Sequence, residues 1–220
     1  MLKPHKEVVI DGTQIAGKNV MVIGANAGIG FAKCQYLIQN KVSKLIMGCR
    51  SLEKANEAKK ELDKIIPDSA DISIEVMKID LSSFKSIREF AEYWNQKAER
   101  LDILFNNAGM IGPNADLAIS EDGFEMTYQC NVLGQLLLTE LLLDSLSLSS
   151  SPRIIFTSSS ACRFTSIPDP PSPNPHTPLR DVWIVKKHVL NSFAIYCDSK
   201  LRKSYFLSKI QKQISNNLQF

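Results

Sequence analysis

The most constraining feature of the chain is a turn with three glycines, Gly24-Ala25-Asn26-Ala27-Gly28-Ile29-Gly30. It follows the short apolar run Lys18 to Ile23 and precedes a helical pattern through Ala32, Tyr36 and Leu37, so it reads as strand, glycine turn, helix. Glycines in that position let the chain turn tightly and let the backbone approach another group closely. The unit then repeats. Lys44 to Cys49 is a second strand candidate, followed by a Glu-, Lys-, Ala- and Leu-rich stretch from Ser51 to Ile66 that stops at Pro67. Asp71 to Ile79 alternates apolar with polar residues, and Ile87, Phe90, Ala91 and Trp94 recur at helical spacing after Ser82-Ser83. Leu101 to Phe105 is predicted as strand four, Glu121 to Leu146 as one long helix, Arg153 to Ser158 as strand five and about Asn191 to Ser215 as a last helix. Alternating strands and helices predict a parallel α/β sheet covered on both faces.

The 220 residues suffice for one substantial core, so a single domain over 1–220 is expected. Against 23 acidic residues stand 26 basic ones, a net charge of +3 that is too weak to argue for nucleic acid or an anionic membrane as partner. The most leucine-rich stretch, Leu136 to Leu148, is broken by Thr139, Glu140, Asp144, Ser145 and Ser147, so no transmembrane segment is predicted. The amino terminus is charged and lacks a secretory pattern. The five cysteines (Cys34, Cys49, Cys130, Cys162, Cys197) form no C-x-x-C pair, and the three histidines show no ligand spacing, so free thiols and no metal are expected. The expected location is intracellular, in the cytoplasm or peripherally on the endoplasmic reticulum or lipid droplets. Six prolines between Ile167 and Leu179 predict a surface loop at about 165–182, either a passive linker or part of a substrate mouth.

The context of the glycine turn points to a dinucleotide. A helix amino terminus beyond a glycine turn offers unpaired N–H groups and a partial positive charge, which hold a pyrophosphate without a lysine. No Gly-Lys-Ser/Thr follows, which excludes a P-loop. Arg50 ends the second strand, where an acidic residue would bind the ribose hydroxyls of NAD; a guanidinium there suits the 2′-phosphate of NADP, so NADP(H) is favoured over NAD(H), with a solvated loop cation as the alternative. Asp80 is placed either to receive an adenine amino group or to cap a helix.

Tyr196 and Lys200 are four residues apart and share a helix face. An unperturbed tyrosine has a pKa of ~10, and a nearby cation favours the phenolate, which makes the pair a candidate general acid or base. Thr157-Ser158-Ser159-Ser160 lies at the carboxyl end of strand five, where open α/β sheets place their ligands; the bland reading is that these serines only end the strand. Only one of two successive serines should face the site if strand geometry persists.

With these residues together the chain resembles the short-chain dehydrogenase/reductase family, in the branch that includes retinol dehydrogenases. The resemblance covers roughly Gly17 to Lys200 and rests on Gly24 to Gly30, Asp80-Leu81, Asn106-Asn107-Ala108-Gly109, Asn131-Val132, Ser158-Ser159 and Tyr196 to Lys200. It implies a Rossmann-type doubly wound sheet and hydride transfer between NADP(H) and a small-molecule carbonyl or alcohol substrate, lipophilic in this branch. It implies that Gly24, Asn26, Gly28, Ile29, Gly30, Arg50, Asp80, Leu81, Asn107, Ala108 and Gly109 bind the cofactor. Ser159 would orient the carbonyl, with Ser160 as runner-up, and Tyr196 would exchange the proton. Lys200 would act on the Tyr196 phenol and bind the nicotinamide ribose, and Asn131 would maintain a water relay within the long helix. The leucine-rich helix is read as core, with a homodimer interface as the other option.

The chain departs from the family pattern at Ile23 and Cys130, where threonine is common, and in its last part. Twenty residues follow Lys200, with no glycine after Gly134 and no proline after Pro178, so the family's strands six and seven and its Pro-Gly turn are expected to be missing. Strand five would then be an exposed edge. The rival expectation is a truncated, catalytically silent nucleotide-binding or interaction protein.

Overall fold

The computed structural model describes residues 14–66, 71–112, 118–165 and 192–217, with side chains as far as 208. From residue 166 on, the proline-rich loop lies outside these. Five strands, β1 (Asn19–Ile23), β2 (Lys44–Cys49), β3 (Ser73–Lys78), β4 (Ile103–Asn106) and β5 (Arg153–Phe156), form one parallel sheet in the order β3-β2-β1-β4-β5. This is the Rossmann-type arrangement expected, and its order reverses between β1 and β4, where such sheets open a crevice for ligands.

Alternation along each strand divides the apolar residues between two cores. Val20 and Val22 of β1, Leu45 and Met47 of β2 and Ile103 of β4 pack with Cys34, Leu37 and Ile38 of α1 (Gly28–Gln39) and with Ala55 and Leu62 of α2 (Leu52–Asp63). Met21, Ile23, Ile46 and Leu104 point the other way, onto Ile87, Phe90, Ala91 and Trp94 of α3 (Phe84–Asn95). A period of two in the strands meets a period of 3.6 in the helices on both faces. Ser51 caps α2 by accepting from Lys54 N at 3.3 Å, and Ser83 caps α3 by accepting from Ser86 N at 3.3 Å. In α1, by contrast, Ala27 supplies no side-chain cap.

The single long helix expected over 121–146 is not formed. Ser120 N donates to Phe124 O, Gly123 has φ +84°, and Ile119 bridges Glu125. The Glu125 carboxylate then starts a helix by accepting from Thr127 N at 3.0 Å and Tyr128 N at 2.7 Å. From there the chain runs through α4 (Met126–Tyr128), a π-helical turn (Gln129–Leu133), α5 (Gly134–Leu141) and α6 (Leu143–Ser147). The apolar repeat is visible in the sequence; the π turn is not, because the repeat runs on through it and its Asn131 is held by residues distant along the chain. After β5 a 3₁₀ segment (Ser160–Phe164) leads out, and α7 (Ser192–Asn217) packs against it and against the π turn. β5 has β4 as its one partner among the described residues, and Ile154 and Ile155 on it are 39% and 37% exposed. No described helix is long and apolar enough to cross a membrane.

Candidate active site

The glycine turn is held from three sides. Gly24 N donates to Gly48 O at 2.7 Å, Ala108 N donates to Ile23 O at 2.8 Å, and Asn107 Nδ2 donates to Gly24 O at 3.3 Å. Gly24 has φ +79°, and a Cβ on it would stand 2.9 Å from Ala108 Cα; one on Gly30 would stand 1.9 Å from Gly24 O. No other residue fits either place. The same closeness brings the end of β4 against the turn, and the uncapped first turn of α1, with Gly28 and Ile29 exposed on it, retains amides that no side chain satisfies.

Beside the turn opens a cleft of about 310 Å³ at the carboxyl ends of β1, β2 and β3. Gly24, Asn26, Arg50, Asp80, Leu81, Ala108 and Gly109, all singled out from the sequence, line it. The residues fit the adenosine half of a dinucleotide: a glycine cradle, an exposed guanidinium at one side and the apolar Ile79 and Leu81 beneath. Asp80 lines the cleft, and its Oδ1 accepts from Ser82 N at 2.9 Å and Ser82 Oγ at 2.6 Å; it does not cap α3, whose cap is Ser83. Ser51, Lys54, Met110 and Cys130 also line the cleft and were not foreseen. Lys54 had a readable signal, a cation in the first turn of a helix, where the dipole disfavours it.

At the carboxyl ends of β4 and β5, Lys200, Tyr196, Asn131 and Gly109 come together. Lys200 is buried, its Nζ lies 5.4 Å from the centre of the Tyr196 ring, and it donates to Thr157 O at 3.2 Å. A Cβ on Gly109 would stand 3.1 Å from Lys200 Nζ and 3.4 Å from Asn131 Oδ1, which measures how closely the three approach. Burial pulls the Lys200 amine below its usual range, against a hydrogen bond with Lys203 that pulls it up. Asn131 sits in the π turn, not in a continuous helix. Both amide protons and the oxygen of its carboxamide are engaged: Nδ2 donates to Met110 O at 2.9 Å and Ser199 Oγ at 3.0 Å, and Oδ1 accepts from Met110 N at 2.9 Å. Asn131 therefore ties the loop after β4 to α7 through its side chain.

Strand geometry does not persist as far as the serines, because β5 ends at Phe156 and a 3₁₀ segment begins at Ser160. Ser158 Oγ pairs with Ser204 Oγ of α7 at 3.2 Å, whereas Ser159, half-buried, opens the 3₁₀ segment by accepting from Ala161 N at 3.2 Å and keeps its own proton to donate. Ser160 is exposed. Asn107 Oδ1 accepts from Lys33 Nζ at 2.8 Å and from Thr157 Oγ1 at 3.2 Å. Sequence reasoning missed Lys33 and Lys203, which bond Thr157 from 124 and 46 residues away along the chain, and Gln135, which accepts from Lys203. Nothing local marks them.

The family described as short chain dehydrogenase matches residues 18–169. Retinol dehydrogenase 13 of Homo sapiens is 37% identical over 204 residues, which cover 92% of this chain and 56% of that protein. The WW domain-containing oxidoreductase of Gallus gallus is 35% identical over 161 residues, covering 73% of this chain and 37% of that one. The chain thus spans about half the length of the curated relatives it matches, or less. Among solved structures, a metagenomic short-chain oxidoreductase in complex with NADP superposes with a TM-score of 0.66 at 20% identity, over 92% of this chain and 77% of that one. An alcohol dehydrogenase from the archaeon Thermococcus sibiricus, complexed with 5-hydroxy-NADP, gives 0.63 at 20% identity over 89% and 71%. Sheet order, glycine cradle, the Tyr196–Lys200 pair and these matches agree: the chain belongs to the short-chain dehydrogenase family.

Proposed function

We propose that the chain binds NADP(H) across the carboxyl ends of β1 to β4 and acts as an oxidoreductase on a carbonyl or alcohol substrate of lipophilic character. The observation that carries this reading is the convergence of Lys200, Tyr196 and Gly109 next to a cleft built on the glycine turn. Bound NADP(H) supplies or takes up the hydride. In reduction the Tyr196 hydroxyl gives its proton to the substrate oxygen, and in oxidation it takes that proton back. The Lys200 ammonium, held against the Thr157 carbonyl, stabilises the negative charge that develops on the phenol oxygen. Ser159 donates its hydroxyl proton to the substrate oxygen and so orients the carbonyl.

Arg50 and Lys54, both on the cleft, support a preference for the 2′-phosphate of NADP(H). Ile111 (50% exposed), Phe164 (70%) and Phe193 (49%) leave apolar surface within five residues of Gly109, Ser159 and Tyr196 respectively, which supports a lipophilic substrate. So do the names of the retinol dehydrogenases among its relatives. Five free cysteines favour an intracellular location.

The test is coenzyme binding followed by fluorescence together with NADPH oxidation over a panel of aldehydes and ketones. Tyr196→Phe is expected to abolish turnover, by about 10²-fold or more, and to leave NADPH binding intact; unchanged turnover removes the catalytic assignment. Arg50→Ala is expected to weaken NADPH about tenfold or more and NADH little; equal losses refute the 2′-phosphate contact. Saturable binding with no oxidation of any substrate would favour the rival reading, a nucleotide-binding protein without turnover.

A further inference from the structure

Lys203 follows Lys200 by one turn of α7, so the two side chains lie on one face. The Lys203 side chain is fully buried. Its Nζ donates to Thr157 O at 3.0 Å and to Gln135 Oε1 at 3.1 Å. The carbonyl of Thr157 is the same oxygen that accepts from Lys200 Nζ at 3.2 Å. Gln135 is in turn anchored, its Nε2 donating to Ala108 O at 2.6 Å. A continuous chain of contacts therefore runs from the exit of β4 through Gln135, Lys203 and Thr157 to the Lys200 ammonium.

Among the described residues the acceptors that this pair reaches are neutral. From α5 Lys203 meets Gln135, from β5 the Phe156 ring, 5.9 Å from its Nζ, and just beyond β5 the Thr157 backbone. Lys33 of α1 reaches Thr157 through the hydroxyl, at 2.9 Å, not the carbonyl. On α7 itself Tyr196 lies beyond Lys200, and Asp198 binds Arg202 at 2.6 Å. No salt bridge among the described residues reaches Lys200 or Lys203. Two ammonium groups on one dry carbonyl repel strongly, so the geometry is comfortable only when one of the two amines gives up its proton.

We propose that Lys203 is a positioning residue for Lys200: through the Thr157 carbonyl that both side chains hold, it fixes the Lys200 ammonium beside Tyr196. The assignment rests on the oxidoreductase reading for its consequence but on this local geometry for its existence. Burial, and then the charge of Lys200, bring the Lys203 amine down to about 7. As a neutral amine it has a lone pair that accepts a hydrogen bond from the Lys200 ammonium, in keeping with the upward pull of Lys203 on Lys200. Below neutrality Lys203 gains a proton, that acceptor is lost, and the two like charges are driven apart.

The test is titration of the full chain carrying ¹³Cε-lysine, followed by NMR, in the wild type, Lys203→Met and Lys203→Arg, with circular dichroism to confirm folding. One lysine signal is expected to titrate near neutrality and to vanish in Lys203→Met, while a second, from Lys200, shifts its midpoint by roughly one pH unit. Absence of a lysine titrating near neutrality, or a Lys200 signal indifferent to both substitutions, overturns the proposal. Should Lys203→Met fail to fold, Lys203→Arg, which carries charge at every pH, still decides: a shifted Lys200 midpoint upholds the coupling and an unshifted one ends it. Where turnover is measurable, the acid limb of the kcat profile near neutrality is expected in the wild type and not in Lys203→Met, with KM for NADPH altered less than kcat. Lack of turnover would defeat the oxidoreductase reading alone and leave the titration intact; normal turnover without coupling would defeat only the role of Lys203.

Discussion

The two ends of the sheet handle buried charge in opposite ways. At the amino end Asp102 is 1% exposed and surrounded by donors: Asn19 N at 2.8 Å, Ser149 Oγ at 2.6 Å and Arg100 Nε at 3.0 Å, with Lys18 Nζ at 3.7 Å. Lys44 there is bound by Glu99 at 2.7 Å and Glu75 at 3.2 Å, and Lys97 pairs with Glu75 above the Trp94 ring. At the carboxyl end the acceptors of Lys33, Lys200 and Lys203 among the described residues are neutral, namely Asn107 Oδ1, Thr157 Oγ1 and O, and Gln135 Oε1. Charge buried with its partner holds a structure together. Charge buried without one costs stability and persists where its reactivity is used.

The comparison can be broken most directly at Asp102. Asp102→Ala strips a buried acceptor from the Asn19 amide and the Ser149 hydroxyl and is expected to cost about 3 kcal/mol, or a fall in melting midpoint of ~6 to 12 °C. A loss below about 1 kcal/mol would mean that the amino end is not the stabilising one. Burial by itself would raise the Asp102 carboxyl, but the Ser149 and Asn19 hydrogen bonds and the two cations outweigh it and hold the group below the usual carboxylate range. Its contribution is thus present above the unfolded pKa of ~3.9 and lost as pH falls through the lower folded value. The wild type should therefore lose stability in acid more steeply than Asp102→Asn.

At the other end the sign reverses. Lys203 is near 7 when folded and ~10.4 when unfolded, so between these values the unfolded chain holds a proton that the folded chain does not, and stability rises with pH across that window. Lys203→Met removes the cost, and its melting midpoint at pH 7 is expected to exceed that of the wild type by ~2 to 4 °C, with the gain shrinking towards pH 10. A lower midpoint at pH 7 would contradict the contrast between the two ends. The smallest effect is at the partly exposed Lys44–Glu99 pair: Glu99→Gln should cost under about 1 kcal/mol and the difference should fade in high salt, as read by urea denaturation.

Legibility along the chain tracks the range of each interaction. Strand and helix periods are set by neighbours a few residues apart, and α3 presents Ile87, Phe90, Ala91 and Trp94 to the core as its spacing predicts. The glycine turn and the Tyr196–Lys200 spacing are equally local. The π turn around Asn131 was not legible, because the apolar repeat through it continues unbroken; its Asn131 is held by Met110 and Ser199, 21 and 68 residues away.

The order of amino acids alone determined the parallel α/β fold, the cradle at Gly24 to Gly30 and the helix face shared by Tyr196 and Lys200, since these depend on backbone freedom and on spacing within a turn or two. Only the tertiary structure decided that Lys203 is dry and that it meets Lys200 on the Thr157 carbonyl, 46 residues from Lys203. On an isolated helix that lysine is one more solvated cation; packing removes its water and, among the described residues, offers no carboxylate in exchange, and desolvation acts only once distant segments have closed around the group.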